Sequence, residues 1–284
     1  MAWKDILYIY DGTFEGFLCC GFMSYTEKEN PVDITPDAET ISLFPVRTVF
    51  TQKEHTQRVY RSLHKISPKA CRLLRQAFLT HMSEKELSLY RFIRKLYRCG
   101  APLLSDLTDE TFLPIRKALR NLSTETEHYR GFIRFSEFNG VLGSEIEPNN
   151  RVLPMLRHHF CSRYQNETFF IYDRTHREAL FYAAGTARIL PLEDFQMAAP
   201  SEEEASFRLL WKRFYDTVAI RERENPRCRM SFMPKRHWKY MTEFQPPSYF
   251  EPNGNTPANA PLPASPTAIP APEKPAAHGQ PELG

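Results

Sequence analysis

Residues 221–240 carry seven Lys or Arg against two acids, Glu222 and Glu224. Arg227, Arg229, Lys235, Arg236 and Lys239 stand there beside Trp238 and Tyr240, and Pro226 and Pro234 turn the chain among them. Clustered cations meet phosphates and flat rings stack on exposed bases, so the chemistry expected of this block is polyanion binding. The competing reading is a solvated basic surface in which the arginines pair with Glu222, Glu224 and Glu243 while Trp238 fills the core.

A second concentration lies at residues 58–98, with eleven Lys or Arg against Glu84 and Glu86. Within it Arg91, Arg94, Lys95 and Arg98 fall at helical spacing on one face, opposite Leu89, Phe92, Ile93 and Leu96. Further along, His128, Arg130 and Arg134 combine a group able to transfer a proton near neutral pH with two phosphate-binding guanidiniums. Asp11 and Glu15 sit in a turn from strand to helix, where free backbone N–H groups can hold an anion or Asp11 and Thr13 can simply cap the helix. Asp173, with His176 at a hairpin tip, offers an acid or base or, alternatively, a turn cap. His158 and His159 are adjacent on a helix and point about 100° apart, so they are not expected to share an ion. No Cys-x-x-Cys pair occurs among the six cysteines, and neither a metal site nor a cofactor is expected.

The elements that must position these groups read as follows. A strand at 6–10 leads through Asp11-Gly12-Thr13 into a helix bearing Phe14, Phe17, Leu18 and Phe22. Short extended pieces are expected at 41–44 and 46–50. Ser67-Pro68 marks a helix start, Ser83-x-x-Glu86 matches a capping box, and further helix is expected over 109–129. The texture then changes: a strand at 131–135, a hairpin at Asn139-Gly140, a helix capped by Asn149-Asn150, and a second hairpin around 174–177. A last helix opens at Ser201 with a stripe of Phe207, Leu210, Trp211, Phe214 and Val218 expected in the core, and Asn225-Pro226 is expected to end it. The fold class expected is α+β, an antiparallel sheet from the C-terminal half surrounded by helices. Residues 1–244 are expected to form one domain, within which 51–130 could make up a helical subdomain. Residues 245–284 contain eleven prolines and too little apolar surface to offset their ordering entropy, so a disordered tail is expected.

The formal charge of +3 is modest, and its uneven distribution is the informative part. No apolar run approaches the roughly 18–20 residues that span a bilayer. The start Met1-Ala2-Trp3-Lys4 has no signal-peptide pattern, so a cytoplasmic protein with free thiols is expected.

Several of these residues together resemble a family of DNA-metabolism or DNA-repair proteins of unknown reaction. The likeness runs through Tyr10-Asp11-Gly12-Thr13-Phe14-Glu15-Gly16-Phe17-Leu18, Gly131-Phe132-Ile133-Arg134-Phe135, Asn150, His159-Phe160 and Asp173. It ends with Ile220-Arg221-Glu222-Arg223, Met233-Pro234, Trp238-Lys239 and Thr242-Glu243. The resemblance implies a radical-SAM protein as companion, and related domains fused to uracil-DNA-glycosylase-like domains; it brings no catalytic residue set. Two functions are therefore expected. One is an accessory that holds DNA through Arg91, Arg94, Lys95, Arg98, Arg130, Arg134, Arg227, Arg229, Lys235, Arg236, Trp238 and Lys239. The other is an enzyme acting on a base or phosphodiester through Asp11, Glu15, His128 and Asp173.

Overall fold

The computed structural model describes residues 3–193, 195–197 and 200–245. The proline-rich segment, apart from Gln245, lies outside them. Strand β1 (Lys4–Ile9) carries Ile6, Leu7 and Tyr8 into the interior and feeds helix α1 (Phe14–Glu27), capped by the Thr13 hydroxyl accepting from the Gly16 N–H at 2.9 Å. The chain returns as β2 (Glu29–Thr35), parallel to β1, and β3 (Val46–Thr48) pairs with the other side of β1, also parallel. Sequence reasoning missed β2 because Pro31 interrupts it. The strand keeps that proline at a register shift opposite Ile6 and Leu7, and at the edge of the sheet order β2-β1-β3. Residues 41–44, expected to be extended, form no strand.

Four helices cover this sheet and continue the chain: α2 (Lys53–Ile66), α3 (Pro68–Phe78), α4 (Lys85–Cys99) and α5 (Phe112–Phe132). Ser67 caps α3 with Pro68 in its first turn, as its sequence requires. The Ser83–Glu86 box does not form: residue 84 is left-handed at φ 47°, and the Glu86 carboxylate accepts from the Tyr10 hydroxyl at 3.0 Å instead. In α4, Leu89, Phe92, Ile93 and Leu96 are all buried. Helix α5 links the two cores of the molecule. Phe112 and Ile115 pack with the first sheet and α1–α4, whereas Leu122 and Tyr129 belong to the second core.

The second sheet has the order β4-β5-β6-β7-β8, formed by β4 (Ser136–Phe138), β5 (Val141–Ile146), β6 (Phe169–Asp173), β7 (Glu178–Ala183) and β8 (Thr186–Pro191). Its pairings are antiparallel except β5–β6, which are parallel and joined by helix α6 (Leu153–Arg163). The α+β expectation therefore holds, with a mostly antiparallel sheet in the C-terminal half. The strand expected at 131–135 is displaced: α5 runs on to Phe132, and β4 begins at Ser136. The Asn139-Gly140 turn is as expected, with φ of 52° and 83° at its two central residues.

The C-terminal segment differs most. Helix α7 (Glu202–Val218) has no buried residue, and Phe207, Trp211, Phe214 and Val218 are exposed where a core stripe was expected. Asn225 does not end α7. Its side chain caps a new helix, α8 (Pro226–Phe232), by accepting from the Cys228 N–H at 2.9 Å. Tight turns at Lys235–Tyr240 and Thr242–Phe244 then bury His237, Met241 and Glu243. No helix among the described residues is long and apolar enough to cross a membrane.

Candidate nucleic-acid interface

A cleft of about 670 Å³ opens between the α3–α4 turn, the first half of α5, the β5–α6 loop and the closing segment. Helix α5 contributes Lys117, Arg120, Asn121 and Thr124, at i, i+3, i+4 and i+7, so all four stand on one face. His81 comes from the α3–α4 turn, Asn149 and Asn150 from the loop, and Arg236 from the turn after α8. Among these lining residues Glu125 is the one acid.

That acid is already fully engaged. Glu125, 3% exposed, accepts from the Asn149 N–H at 3.0 Å, the Asn150 N–H at 2.8 Å and the Asn150 side-chain amide at 2.6 Å. Arg236 Nη2 lies 3.1 Å from its other flank at Oε1. Asn150 in turn accepts from the His81 N–H at 2.8 Å, which pins the α3–α4 turn to the same node. A buried carboxylate needs such partners. Its effect is to fix three chain segments around the cleft, while exposed Lys117 and Arg120 make no hydrogen bond or ion pair among the described residues.

Behind Arg236 lies a neutral aromatic cluster. His237, 2% exposed, packs edge-on against Tyr129 and His128, and its Nε2 accepts from Arg236 Nε at 3.3 Å. Burial, followed by the charge of Arg236 and the neighbouring His128, pushes the His237 pKa down to about 4. His128 is likewise lowered, by burial and then by Arg236, and its buried Nδ1 has no partner among the described residues. Both imidazoles are neutral packing groups at physiological pH.

The other residues singled out from sequence are distributed as follows. On α4, Lys95 ion-pairs with Asp109, and that hydrogen bond holds the Asp109 carboxyl below its usual range. Arg94 lies over the Trp3 ring at 4.2 Å and bonds the Tyr90 hydroxyl, whereas Arg91 and Arg98 are exposed without a partner among the described residues. Arg130 pairs with Glu127 at 2.6 Å. Arg134 grips Glu243 with two nitrogens, at 2.6 and 3.3 Å. In the closing segment Lys239 ion-pairs with Glu147, and Arg229 and Lys235 lie over the Trp238 ring. Trp238 itself stacks on Phe244 at 4.5 Å, and its indole N–H donates to the Met233 carbonyl at 3.0 Å. Arg227 is exposed and unpartnered among the described residues.

Asp11, Glu15, His128 and Asp173 share no hydrogen bond or ion pair with one another. Asp11 accepts from Thr51, at 2.6 Å, and from Thr13, N–H and hydroxyl both. Partial burial acts against its ionised form, but these hydrogen bonds outweigh it and lower its pKa. Glu15 is exposed in the first turn of α1. Asp173 is fully buried on β6 with its oxygens on the His176 N–H and Nδ1. Sequence reasoning missed His81, Lys117, Arg120 and Glu125. The signal was the polar i, i+3, i+4, i+7 stripe of α5, which a segment read only as generic helix conceals.

An α+β protein whose long linking helix, β5–α6 loop and closing segment frame a cation-lined cleft is thus the class that the geometry defines. The chain belongs to the family described as a domain of unknown function, DUF4130, whose model matches residues 83–243. That span holds every lining residue of the cleft except His81 and Met82. No curated protein and no solved structure matches the chain.

Proposed function

We propose that this protein is a nucleic-acid-binding accessory in DNA repair or modification, acting beside a radical-SAM enzyme that supplies the chemistry. The observation that carries the reading is the cleft on α5. Three cations, Lys117, Arg120 and Arg236, face a cavity whose one carboxylate, Glu125, is consumed by the loop that shapes it. Such a surface favours phosphates over any cationic or neutral ligand. Asn121 and Asn149 add amides able to bond sugar or phosphate oxygens. Outside the cleft lining, Arg91, Arg98 and Arg227 are exposed without a partner among the described residues, and a groove on α2 is lined by Arg58, Arg61 and Lys65 together with Glu54.

A protein companion has a face to meet. Phe207, Trp211, Phe214 and Val218 are exposed along α7, an apolar stripe of the kind that marks interaction sites. The radical-SAM identity of that companion rests on the family resemblance in the sequence. Fluorescence anisotropy with single- and double-stranded DNA over a salt series tests the binding half: affinity at low salt that falls with added salt is expected, and absence of binding at low salt removes the reading. A pull-down from native lysate with nuclease treatment tests the other half, since a direct companion survives digestion.

A further inference from the structure

Outside the cleft, the end of the β6–β7 hairpin holds a group of side chains that no nucleic-acid role requires. Asp173 and Glu178 are direct partners across the antiparallel ladder, two acids in a position where like charges oppose folding. Between them the turn brings His176, whose Nδ1 lies 2.7 Å from Asp173 Oδ2. One ligand atom from each of the three lies within 4.8 Å of the others. Asp173 is fully buried, and Glu178 Oε1 is shielded from solvent with no hydrogen-bond partner among the described residues.

A shielded carboxylate oxygen without a partner, on a residue paired across the ladder with a second buried carboxylate, costs free energy that a bound cation would offset. Burial pushes the Glu178 carboxyl up, and the charge of Arg151 works against that, but Arg151 makes no hydrogen bond or ion pair with Glu178. Arg174 is committed to Glu145 at 3.2 Å, and Arg177 in the same turn is exposed and makes no hydrogen bond or ion pair with either acid. We propose that Asp173, His176 and Glu178 bind one divalent first-row transition ion. Two carboxylates balance its charge, and the imidazole selects against the purely oxygen-ligated Ca²⁺ and Mg²⁺. Ions of this class hold oxygen and nitrogen donors at about 2.0–2.2 Å, hence about 3–4 Å from each other, so closing the site takes a rotation of Glu178 and replaces the 2.7 Å hydrogen bond between His176 and Asp173 with two bonds to the ion. Three protein ligands leave further coordination positions for water or an anion. The motif Asp-x-x-His-x-Glu straddles the tight turn whose residue Arg177 is left-handed at φ 52°.

The test is isothermal calorimetry of the EDTA-treated full chain with ZnCl₂ and with MnCl₂, alongside E178Q and H176A, each checked by circular dichroism. The proposal expects one ion per chain, with affinity lowered at least about 10-fold in E178Q, which is nearly isosteric and tests the site even if H176A fails to fold. Absence of a one-to-one isotherm for both ions overturns it. So does binding that E178Q leaves within about 2-fold of wild type, because the ion would then sit on other histidines or cysteines.

Discussion

Arg134 and Glu243 meet through two parallel contacts, Nη2 to Oε1 at 2.6 Å and Nε to Oε2 at 3.3 Å, across 109 positions of sequence. Glu243 is 4% exposed, and it also receives the Trp211 indole N–H at 3.4 Å while its carbonyl takes Lys212 Nζ at 3.0 Å. The pair therefore fastens the closing segment to the α5–β4 connection, and Glu243 ties it to α7 as well. Removing one partner of a shielded pair is costly because the other charge remains. E243Q is expected to lower stability by about 2 kcal/mol in urea unfolding, and R134M/E243M to cost less than E243Q alone. DNA affinity of folded R134M/E243M should be unchanged within about 2-fold, since the two charges removed neutralise each other internally.

The turn into α1 depends on a close approach of backbone to carboxylate. A Cβ built on Gly16 would lie 2.2 Å from Asp11 Oδ1 and 2.8 Å from Thr51 Oγ1. Alanine is favoured over glycine within a helix by about 1 kcal/mol, yet here it must expel the Asp11 side chain from three hydrogen bonds. G16A is therefore expected to destabilise by about 1–2 kcal/mol net. Because both changes remove the same interaction, G16A/D11A should be scarcely less stable than D11A. Thermal unfolding of the three variants measures this.

His237 gives stability an acid limb. Its pKa is about 4 folded against an ordinary 6.5, so the unfolded chain takes up a proton that the folded protein refuses. The contribution is fully present above pH 6.5 and is lost as pH falls towards 4, amounting to about 3 kcal/mol over that window. H237Q keeps an acceptor for Arg236 without titrating. Its unfolding free energy should fall less steeply between pH 6.5 and 4 than that of wild type.

Local signals in the sequence were reliable where one physical cause decided the outcome. The apolar stripe of α4, the Ser67-Pro68 start of α3, the Asn139-Gly140 turn and the hairpin joining β6 to β7 all follow from spacing or from φ preferences. Failures came where a distant partner outbid the local one. Glu86 goes to Tyr10 instead of its own helix start, and Asn150 goes to Glu125 and His81 instead of capping α6. Helix α7 has a stripe of core character that stays largely exposed, although the helix meets the closing segment through Trp211 and Glu243, and amphipathicity alone does not reveal this. Charge was harder still to read. Composition shows an excess of cations, but only the fold separates Arg134, Lys95 and Lys239, spent on Glu243, Asp109 and Glu147, from Lys117 and Arg120, which are not spent.

The most direct measurement is the salt dependence of DNA affinity for wild type and K117E/R120E, with R134M as a control for internally paired charge. Each phosphate contact contributes about 0.7–0.9 to the slope of log affinity against log salt. The cleft assignment expects K117E/R120E to bind at least about 10-fold more weakly at low salt, with a slope shallower by about 1.5–2, and R134M to match wild type. Equal slopes and affinities for wild type and K117E/R120E would contradict it.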